Sequence, residues 1–176
     1  ATMRNPSKSP ALGEVASSEN LPITILTLDV DDDDSVNIAV KDILKHEGHI
    51  DVLVNNAGYF GGGLAETYET QDLEKTFDVN VKGPWRTMRA ALPSMRKQGE
   101  GLIINITSSL GRFSAPFMTV YNGTKFALEG LSEGLHYEVR PLGVDVTIIQ
   151  PGAFPTEIFG KTATGSDQSV VEGYGD

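Results

Sequence analysis

Residues 101–150, GLIINITSSLGRFSAPFMTVYNGTKFALEGLSEGLHYEVRPLGVDVTIIQ, decide the fold of this chain. The segment begins with an apolar, β-branched run at 101–107 and ends with a similar run at 144–150. The pattern between the two runs predicts one long helix over Val120–Arg140, which the PLG sequence at 141–143 ends. A strand, a helix and a second strand in this order predict a parallel βαβ unit.

The same alternation extends back towards residue 1. Two more apolar runs, Ile23–Leu28 and Asp51–Asn55, predict strands, and the near-continuous apolar character of all four runs is expected of parallel strands covered on both faces. Helical patterns separate the strands at Ser35–His46, Gln71–Asn80 and Pro84–Lys97. We therefore expect residues 1–176 to form a single α/β domain around a parallel sheet.

Composition and charge exclude several classes of protein. The formal net charge of −10 makes nucleic acid and anionic membrane surfaces poor partners, and no apolar run approaches the ~20 residues that span a bilayer. The chain contains no cysteine, which excludes disulfides and thiolate catalysis and fits a cytoplasmic location. No metal site is expected, because His46, His49 and His136 show no grouping typical of metal ligands, and the aspartates at 31–34 suit a helix N-cap.

Tyr121 and Lys125 form the first candidate catalytic pair. Their spacing of four places them one above the other on the same helix face. A nearby ammonium favours the phenolate, so the pair predicts a tyrosine whose pKa is lowered towards the range useful at neutral pH. A single pair with this spacing also arises by chance, so it needs support from other motifs.

Small and polar residues follow three of the predicted strands. Asn55-Asn56-Ala57-Gly58 stands at the end of the second strand, the hydroxyl run Thr107-Ser108-Ser109 at the end of the third, and Pro151-Gly152 with Thr156 at the end of the last. Each motif alone also reads as an ordinary turn. Because the carboxyl ends of parallel strands share one edge of the sheet, where ligands bind, their convergence indicates a ligand site. A hydroxyl of the run Thr107-Ser108-Ser109 could donate a hydrogen bond to a carbonyl oxygen there.

These motifs together resemble the single-domain form of the short-chain dehydrogenase/reductase family. The resemblance covers residues 1 to about 160 and looks closest to the hydroxysteroid and retinol dehydrogenase-like branch. Asn105 and Gly111 set the motif register that selects Ser108, with Ser109 as its neighbour, thirteen residues before Tyr121. The resemblance implies a Rossmann-like, doubly wound parallel sheet in three α/β/α layers.

The resemblance also implies an activity. Such a protein is an oxidoreductase that transfers a hydride between NADP(H) and a small carbonyl or alcohol substrate, as a carbonyl reductase or alcohol dehydrogenase. Tyr121 would exchange the proton, Lys125 would lower the pKa of Tyr121 and hold the nicotinamide ribose, and Ser108 would orient the carbonyl. Asn80 would hold a water that links Lys125 to solvent. The alternatives are a non-catalytic NAD(P)-binding sensor or scaffold, and an inactive fragment of such an enzyme.

Cofactor contacts follow from the same resemblance. Asp29 and Val30 would meet the adenine, Tyr121 and Lys125 the nicotinamide ribose, and the remaining contacts would come from Asn55, Asn56, Ala57, Gly58, Pro151, Gly152 and Thr156. Met3 stands where NAD enzymes of this family place an acid, and the guanidinium of Arg4, which follows, suits a phosphate. The sequence therefore predicts NADP(H), with NAD(H) as the weaker alternative.

The family's first strand with its glycine-rich phosphate turn, and its last strand, are not found in the sequence. We therefore expect a fragment whose sheet lacks both, and in which the strands near residues 1–3 and 23–28 lose their bridge to the rest. Such a chain alone should fold and bind cofactor poorly. Residues 157–176 are expected to form a substrate-loop segment. A homodimer or homotetramer is expected to pair through the helices predicted over Pro84–Lys97 and Val120–Arg140.

Overall fold

The computed structural model describes residues 1–8, 10–154 and 164–175, which contain five strands and five α-helices. The strands are β1 (Thr2–Met3), β2 (Leu26–Thr27), β3 (Val52–Asn55), β4 (Gly101–Ile106) and β5 (Val144–Ile149). The helices are α1 (Ala11–Ser18), α2 (Asp33–Glu47), α3 (Thr70–Phe77), α4 (Gly83–Gln98) and α5 (Thr119–Val139). Helix α1 has no counterpart among the sequence predictions. No helix of these described ranges is long and apolar enough to cross a bilayer.

All strand pairs in the described residues are parallel, which confirms the predicted Rossmann-like α/β class. Strands β3, β4 and β5 form one sheet in that order, and β1 pairs with β2 in a separate two-stranded sheet. The division into two sheets agrees with the expectation that the strands near residues 1–3 and 23–28 lack a bridge to the others. Strand β2 is shorter than the predicted run at 23–28, because β1 offers only two residues for pairing.

The prediction of strands covered on both faces is wrong for β3. Its Val52 and Val54 are 50% and 53% exposed. Strand β3 forms one edge of the larger sheet, with β4 on its other side. The apolar side chains that indicated a covered strand are therefore left partly in contact with water.

Two clusters of buried side chains make up the core. The larger cluster joins α4 and α5 to the sheet and includes Met88, Met95, Ile103, Leu135 and Val144. The smaller cluster packs α2 beneath the end of β2, and Ala90 of α4 contacts it. Helices α2 and α4 therefore connect the two sheets through side-chain packing.

The ends of the helices follow the predicted signals in most cases. Asp32 caps α2 by accepting hydrogen bonds from the backbone amides of Asp34, at 2.8 Å, and Ser35, at 3.1 Å, as the aspartate run indicated. Helix α5 gives way at Arg140 to a short 3₁₀ turn that Gly143 ends with a φ of +81°. The helix predicted over 71–80 ends earlier, because residues Asp78–Lys82 form a π-helical turn that leads directly into α4.

The described part of the C-terminal segment, residues 164–175, is anchored on the region around α3. The Ser166 amide and hydroxyl donate to the Asp72 carboxylate at 2.8 and 2.7 Å. The Tyr174 hydroxyl donates to Glu66 at 2.8 Å. The loop expected after Thr156 is thus tied to the body of the protein over these residues.

Candidate active site

A cavity of about 550 Å³ opens at the carboxyl ends of β3, β4 and β5. It brings together residues that the sequence placed at three separate strand ends, namely Asn56, Gly58, Ser108, Pro151 and Gly152, together with Tyr121 and Lys125 of α5. Thr156, predicted to contact the cofactor, lies outside the described residues. The convergence at one sheet edge is what parallel strand topology requires.

Tyr121 lies in the first turn of α5 and is only 6% exposed. The Phe60 ring packs against it, with the two ring centroids 5.0 Å apart. Burial raises the pKa of the Tyr121 phenol, and a hydrogen bond with the Ser108 side chain offsets only part of that rise. The lowered pKa predicted from the neighbouring lysine is therefore wrong for the protein without ligands, because loss of hydration outweighs any help from Lys125.

Lys125 is also buried, with 7% of its surface exposed. Its Nζ donates to the carbonyl oxygen of Ile106 at 3.2 Å and lies 5.5 Å from the centroid of the Tyr121 ring. Burial lowers the pKa of the Lys125 ammonium to about 8, and the Glu129 carboxylate opposes this shift. At pH 7 the side chain thus still carries most of its charge beside Tyr121.

Ser108 begins a 3₁₀ turn over Ser109–Gly111 that directly follows β4. Its Oγ accepts a hydrogen bond from the Leu110 amide at 3.1 Å, which fixes the side chain. Ser108 and Ser109 both line the cavity with Tyr121, and the Ser108 side chain acts to lower the pKa of the Tyr121 phenol. The catalytic role that the motif register gives Ser108 stays a prediction.

Asn80 lies in the π-helical turn and is buried. Its Oδ1 accepts from the Tyr59 amide at 3.1 Å, and its Nδ2 donates to the Tyr59 carbonyl at 3.0 Å and to Thr124 Oγ1 at 3.2 Å. These bonds fix the loop that carries Gly58 against α5. A Cβ added at Gly58 would lie 3.1 Å from Asn80 Oδ1, so a residue larger than glycine at position 58 would crowd the Asn80 side chain. The proton-relay role of Asn80 stays a prediction.

Asn55 does not have the ligand-lining position implied for it. Its Nδ2 donates to Asn105 Oδ1 at 2.8 Å, and its Oδ1 accepts from Thr87 Oγ1 at 2.6 Å. Asn105 in turn donates to Ser132 Oγ at 2.8 Å. These buried polar groups join β3 and β4 to α4 and α5, so Asn55 supports the sheet edge from within. Sequence reasoning missed this role, because the partners are 27 to 50 residues apart in the chain.

A second cavity of about 630 Å³ continues from the first. Arg4, Asp29, Val30 and Ala57 line it, and both cavities share Gly58 and Tyr59. The ends of β1 and β2 thus lie on one side of Gly58, and Tyr121 and Lys125 lie on the other. An elongated site with a glycine at its middle, where a flat ligand can approach the backbone, fits a dinucleotide, so the residues present suit a nicotinamide cofactor.

Several residues of the site were not predicted from the sequence. Among them, Tyr59, Phe60 and Met118 line the catalytic cavity, and Glu129 contacts Thr107 and Gln150, which directly follow β4 and β5. The spacing Tyr121, Lys125, Glu129 continues the same helix face by one more turn and could have indicated Glu129. Within residues 1–8, 10–154 and 164–175, no three acidic, histidine or cysteine side chains gather as a metal site would require.

Comparison with known proteins agrees with this geometry. The sequence pattern of the short chain dehydrogenase family matches residues 2–167. An uncharacterized oxidoreductase of Schizosaccharomyces pombe is 38% identical over 155 residues, which is 88% of this chain and 64% of that protein. The chain therefore belongs to the short-chain dehydrogenase family, and it spans somewhat less than two thirds of that relative's length.

Solved structures show the same relationship. A short-chain dehydrogenase from Streptomyces avermitilis has a TM-score of 0.84 and 39% identity, covering 93% of this chain and 61% of its own. ElxO with NADP bound has a TM-score of 0.83 and 32% identity, covering 98% of this chain and 67% of its own. A family member from Burkholderia phymatum in complex with NAD has a TM-score of 0.85 and 26% identity, covering 91% and 58%. The fold thus accommodates either nicotinamide cofactor.

Proposed function

We propose that this chain forms the catalytic part of an oxidoreductase that transfers a hydride between NADP(H) and a carbonyl or alcohol carbon. The observation that carries the proposal is the arrangement at Tyr121: a protonated phenol that lines the same cavity as Ser108 and has Lys125 beside its ring, at one end of an elongated site. Hydride transfer is the chemistry that a nicotinamide cofactor supplies when bound.

The protein's own residues would manage the proton. With its pKa raised by burial, Tyr121 holds its proton at neutral pH and can donate it to a carbonyl oxygen during reduction. Ser108 can donate to the same oxygen as negative charge develops there. The charged Lys125 beside the ring would stabilise the phenolate that remains.

For the cofactor we propose NADP(H), held by Arg4, Asp29 and Val30 at the second cavity and by residues around Gly152 at the first. Arg4 lines the second cavity beside Asp29, where a guanidinium could bind a ribose phosphate. The NADP bound to ElxO supports this choice. The Burkholderia phymatum protein binds NAD, so members of the family differ in their cofactor.

For the substrate we propose an uncharged ketone or aldehyde with apolar substituents. The cavity beside Tyr121 presents the apolar side chains of Phe60, Leu110, Met118 and Phe154. Among its described lining residues, Lys125 is the single charged group, and it is buried against the Ile106 carbonyl. A carboxylate or phosphate on the substrate would lose its hydration with only the buried Lys125 as a charged partner.

Three further properties of the protein stay predictions. These are the substrate-loop role of residues 157–176, the homodimer or homotetramer paired through α4 and α5, and the cytoplasmic location. The anchoring of residues 164–175 on α3, with Thr164 lining the second cavity, is compatible with a segment that borders the ligand site.

NADPH oxidation by the natural full-length protein would test the function. Ketones of equal size with an apolar, hydroxylated or carboxylate-bearing substituent would be compared. We expect turnover of the apolar ketone, and a fall of about 100- to 10,000-fold in kcat/KM for Tyr121→Phe, since a general acid contributes about that much. Tyr137→Phe, an exposed tyrosine on the same helix, is the matched control.

The outcomes separate the alternatives. Tight NADPH binding without turnover of any ketone would indicate the sensor function instead. Turnover of the carboxylate-bearing ketone above the apolar one would contradict the substrate class and leave the reaction type in place. A higher kcat/KM with NADH than with NADPH would contradict the choice of cofactor.

A further inference from the structure

Glu129 lies one helical turn beyond Lys125 on α5, and its side chain is only 11% exposed. Its Oε1 accepts a hydrogen bond from Thr107 Oγ1 at 2.6 Å. Its Oε2 accepts from Gln150 Nε2 at 2.8 Å and lies 3.7 Å from Arg112 Nε. The Glu129 carboxylate therefore links α5, which carries it, to the turns that follow β4 and β5.

The partners of Glu129 stand next to site residues. Thr107 directly precedes Ser108, and Gln150 directly precedes Pro151 and Gly152. The backbone closes tightly on the carboxylate, because a Cβ added at Gly111 would lie 3.0 Å from Glu129 Cγ. The position of Ser108 relative to Lys125 is thus set partly through this one side chain.

Stability alone does not explain a carboxylate here. Removing a carboxylate from water is costly, and an apolar side chain of similar size could fill the same place without that cost. A charge does what an apolar residue cannot: it attracts the ammonium of Lys125 one turn away. Glu129 indeed acts on Lys125 in this sense, opposing the loss of its proton on burial.

Resting on the reductase function proposed above, we propose that Glu129 is a positioning residue for the reaction. Its carboxylate fixes the turns that carry Ser108 and Pro151 against α5 and holds the positive charge of Lys125 beside Tyr121. In the described residues the charged groups that face it are Arg112 on the turn after β4 and Lys125 on its own helix.

Glu129→Gln in the natural full-length protein would test this inference, with Glu133→Gln as the matched control. Gln keeps the size of the side chain and removes its charge, and Glu133 is an exposed glutamate one turn further along α5. We expect Glu129→Gln to lower kcat/KM for the apolar ketone by about 10- to 100-fold, mainly through kcat, as for loss of a charged hydrogen bond.

The second readout needs no cofactor or substrate. NMR titration of ¹³C-labelled lysine, with Lys125→Met to assign the signal, would follow the pKa of Lys125 directly. We expect Glu129→Gln to move it below its value of about 8, and Glu133→Gln to leave it unchanged. Thr107→Val, which removes one bond and keeps the charge, should lower kcat and leave the Lys125 titration unchanged.

The results distinguish this inference from the proposed function. If Glu129→Gln matches Glu133→Gln in both kcat and the Lys125 titration, Glu129 has no positioning role. If the wild-type protein reduces no ketone, the reductase proposal fails, whereas the titration still reports on Glu129 and Lys125. If Glu129→Gln does not fold, the Thr107→Val, Gln150→Leu double variant replaces it: a fall in kcat supports the inference, and wild-type kcat overturns it.

Discussion

Tyr121 and Lys125 are both buried, and burial favours the neutral form of each side chain. For the phenol this raises the pKa, and for the ammonium it lowers the pKa to about 8. At pH 7 the result is a neutral tyrosine next to a mostly charged lysine. That combination suits proton donation in reduction, because the proton is present on Tyr121 and its conjugate base has a cation nearby.

The burial of Lys125 predicts a pH dependence of stability. The folded protein releases the Lys125 proton near pH 8, whereas the unfolded chain keeps it to about the ordinary pKa of 10.5. Between these values the unfolded state binds more protons, so the free energy of unfolding rises with pH, by about 3 kcal/mol in total for this group. Urea unfolding of the cofactor-free protein from pH 7 to 10.5 would measure it.

Lys125→Met is the variant that isolates this contribution, because Met keeps the length of the side chain and removes the charge. The wild-type protein should gain stability relative to Lys125→Met as the pH rises. The comparison also cancels the opposite contribution of Tyr121, which both proteins share. Lys97→Met, at an exposed lysine of α4, should give a pH dependence like that of the wild type. Parallel curves for all three proteins would contradict the shift.

Among the elements, the connection from α5 to β5 depends on one backbone conformation. Gly143 has a φ of +81°, and a Cβ there would overlap the carbonyl oxygen of Gly99, the glycine that ends α4. The two helix ends therefore pack backbone against backbone. This contact sets where β5 begins, and so where Pro151 and Gly152 reach the cavity.

Gly143→Ala and Gly13→Ala should change stability in opposite directions. At Gly143 the left-handed backbone and the overlap with Gly99 should lower the free energy of unfolding by more than about 2 kcal/mol. Gly13 lies within α1, where a Cβ would meet Ile25 Cδ1 at an ordinary 3.6 Å. Alanine there should raise the free energy of unfolding by about 0.5–1 kcal/mol. Urea unfolding of both variants checks this, and equal effects would contradict it.

For the molecule as a whole, Arg86 joins the two sheets. Its Nε donates to Asp33 Oδ2 of α2 at 3.0 Å. Its Nη1 donates to the carbonyl of Val30, beyond β2, at 3.0 Å and to Asp78 Oδ1 at 2.6 Å. Burial raises the pKa of Asp78, but the hydrogen bonds from Arg86 and Lys82 outweigh burial and lower it overall. The β1–β2 half thus has a specific polar attachment to α4 as well as apolar packing.

Arg86→Met should destabilise the protein at pH 7 by about 1–3 kcal/mol, since it leaves Asp78 and Asp33 without their shared partner. The pKa of Asp78 in the folded protein lies below its ordinary value of 3.8. The stability that the Arg86–Asp78 pair contributes is therefore fully present above pH 3.8 and is lost as the pH falls below that value and Asp78 becomes protonated. Arg89→Met, at an exposed arginine three residues along α4, is the control. Equal loss in both variants, or a loss independent of pH, would contradict the attachment.

The sequence by itself determined the α/β class, the long helix α5, the N-cap of α2 and most of the residues at the sheet edge. It could do so because these features depend on local periodicity, on capping side chains and on strand ends that parallel topology places together. The pair Tyr121 and Lys125 was found in this way, Ser108 was selected by the family resemblance, and the structure brings all three to one cavity.

Only the tertiary structure decided the direction in which the pKa of Tyr121 shifts and the hydrogen bonds by which Asn55 supports the sheet edge. It also decided the exposure of β3 and the contacts of Glu129 and Arg86. Each of these depends on which groups lose water and which distant residues replace it. Asn55 and Asn105, or Arg86 and Val30, lie 50 and 56 residues apart, and no local pattern relates them. Burial is a property of the assembled layers, so the chemistry that follows from burial depends on the fold and not on any local pattern.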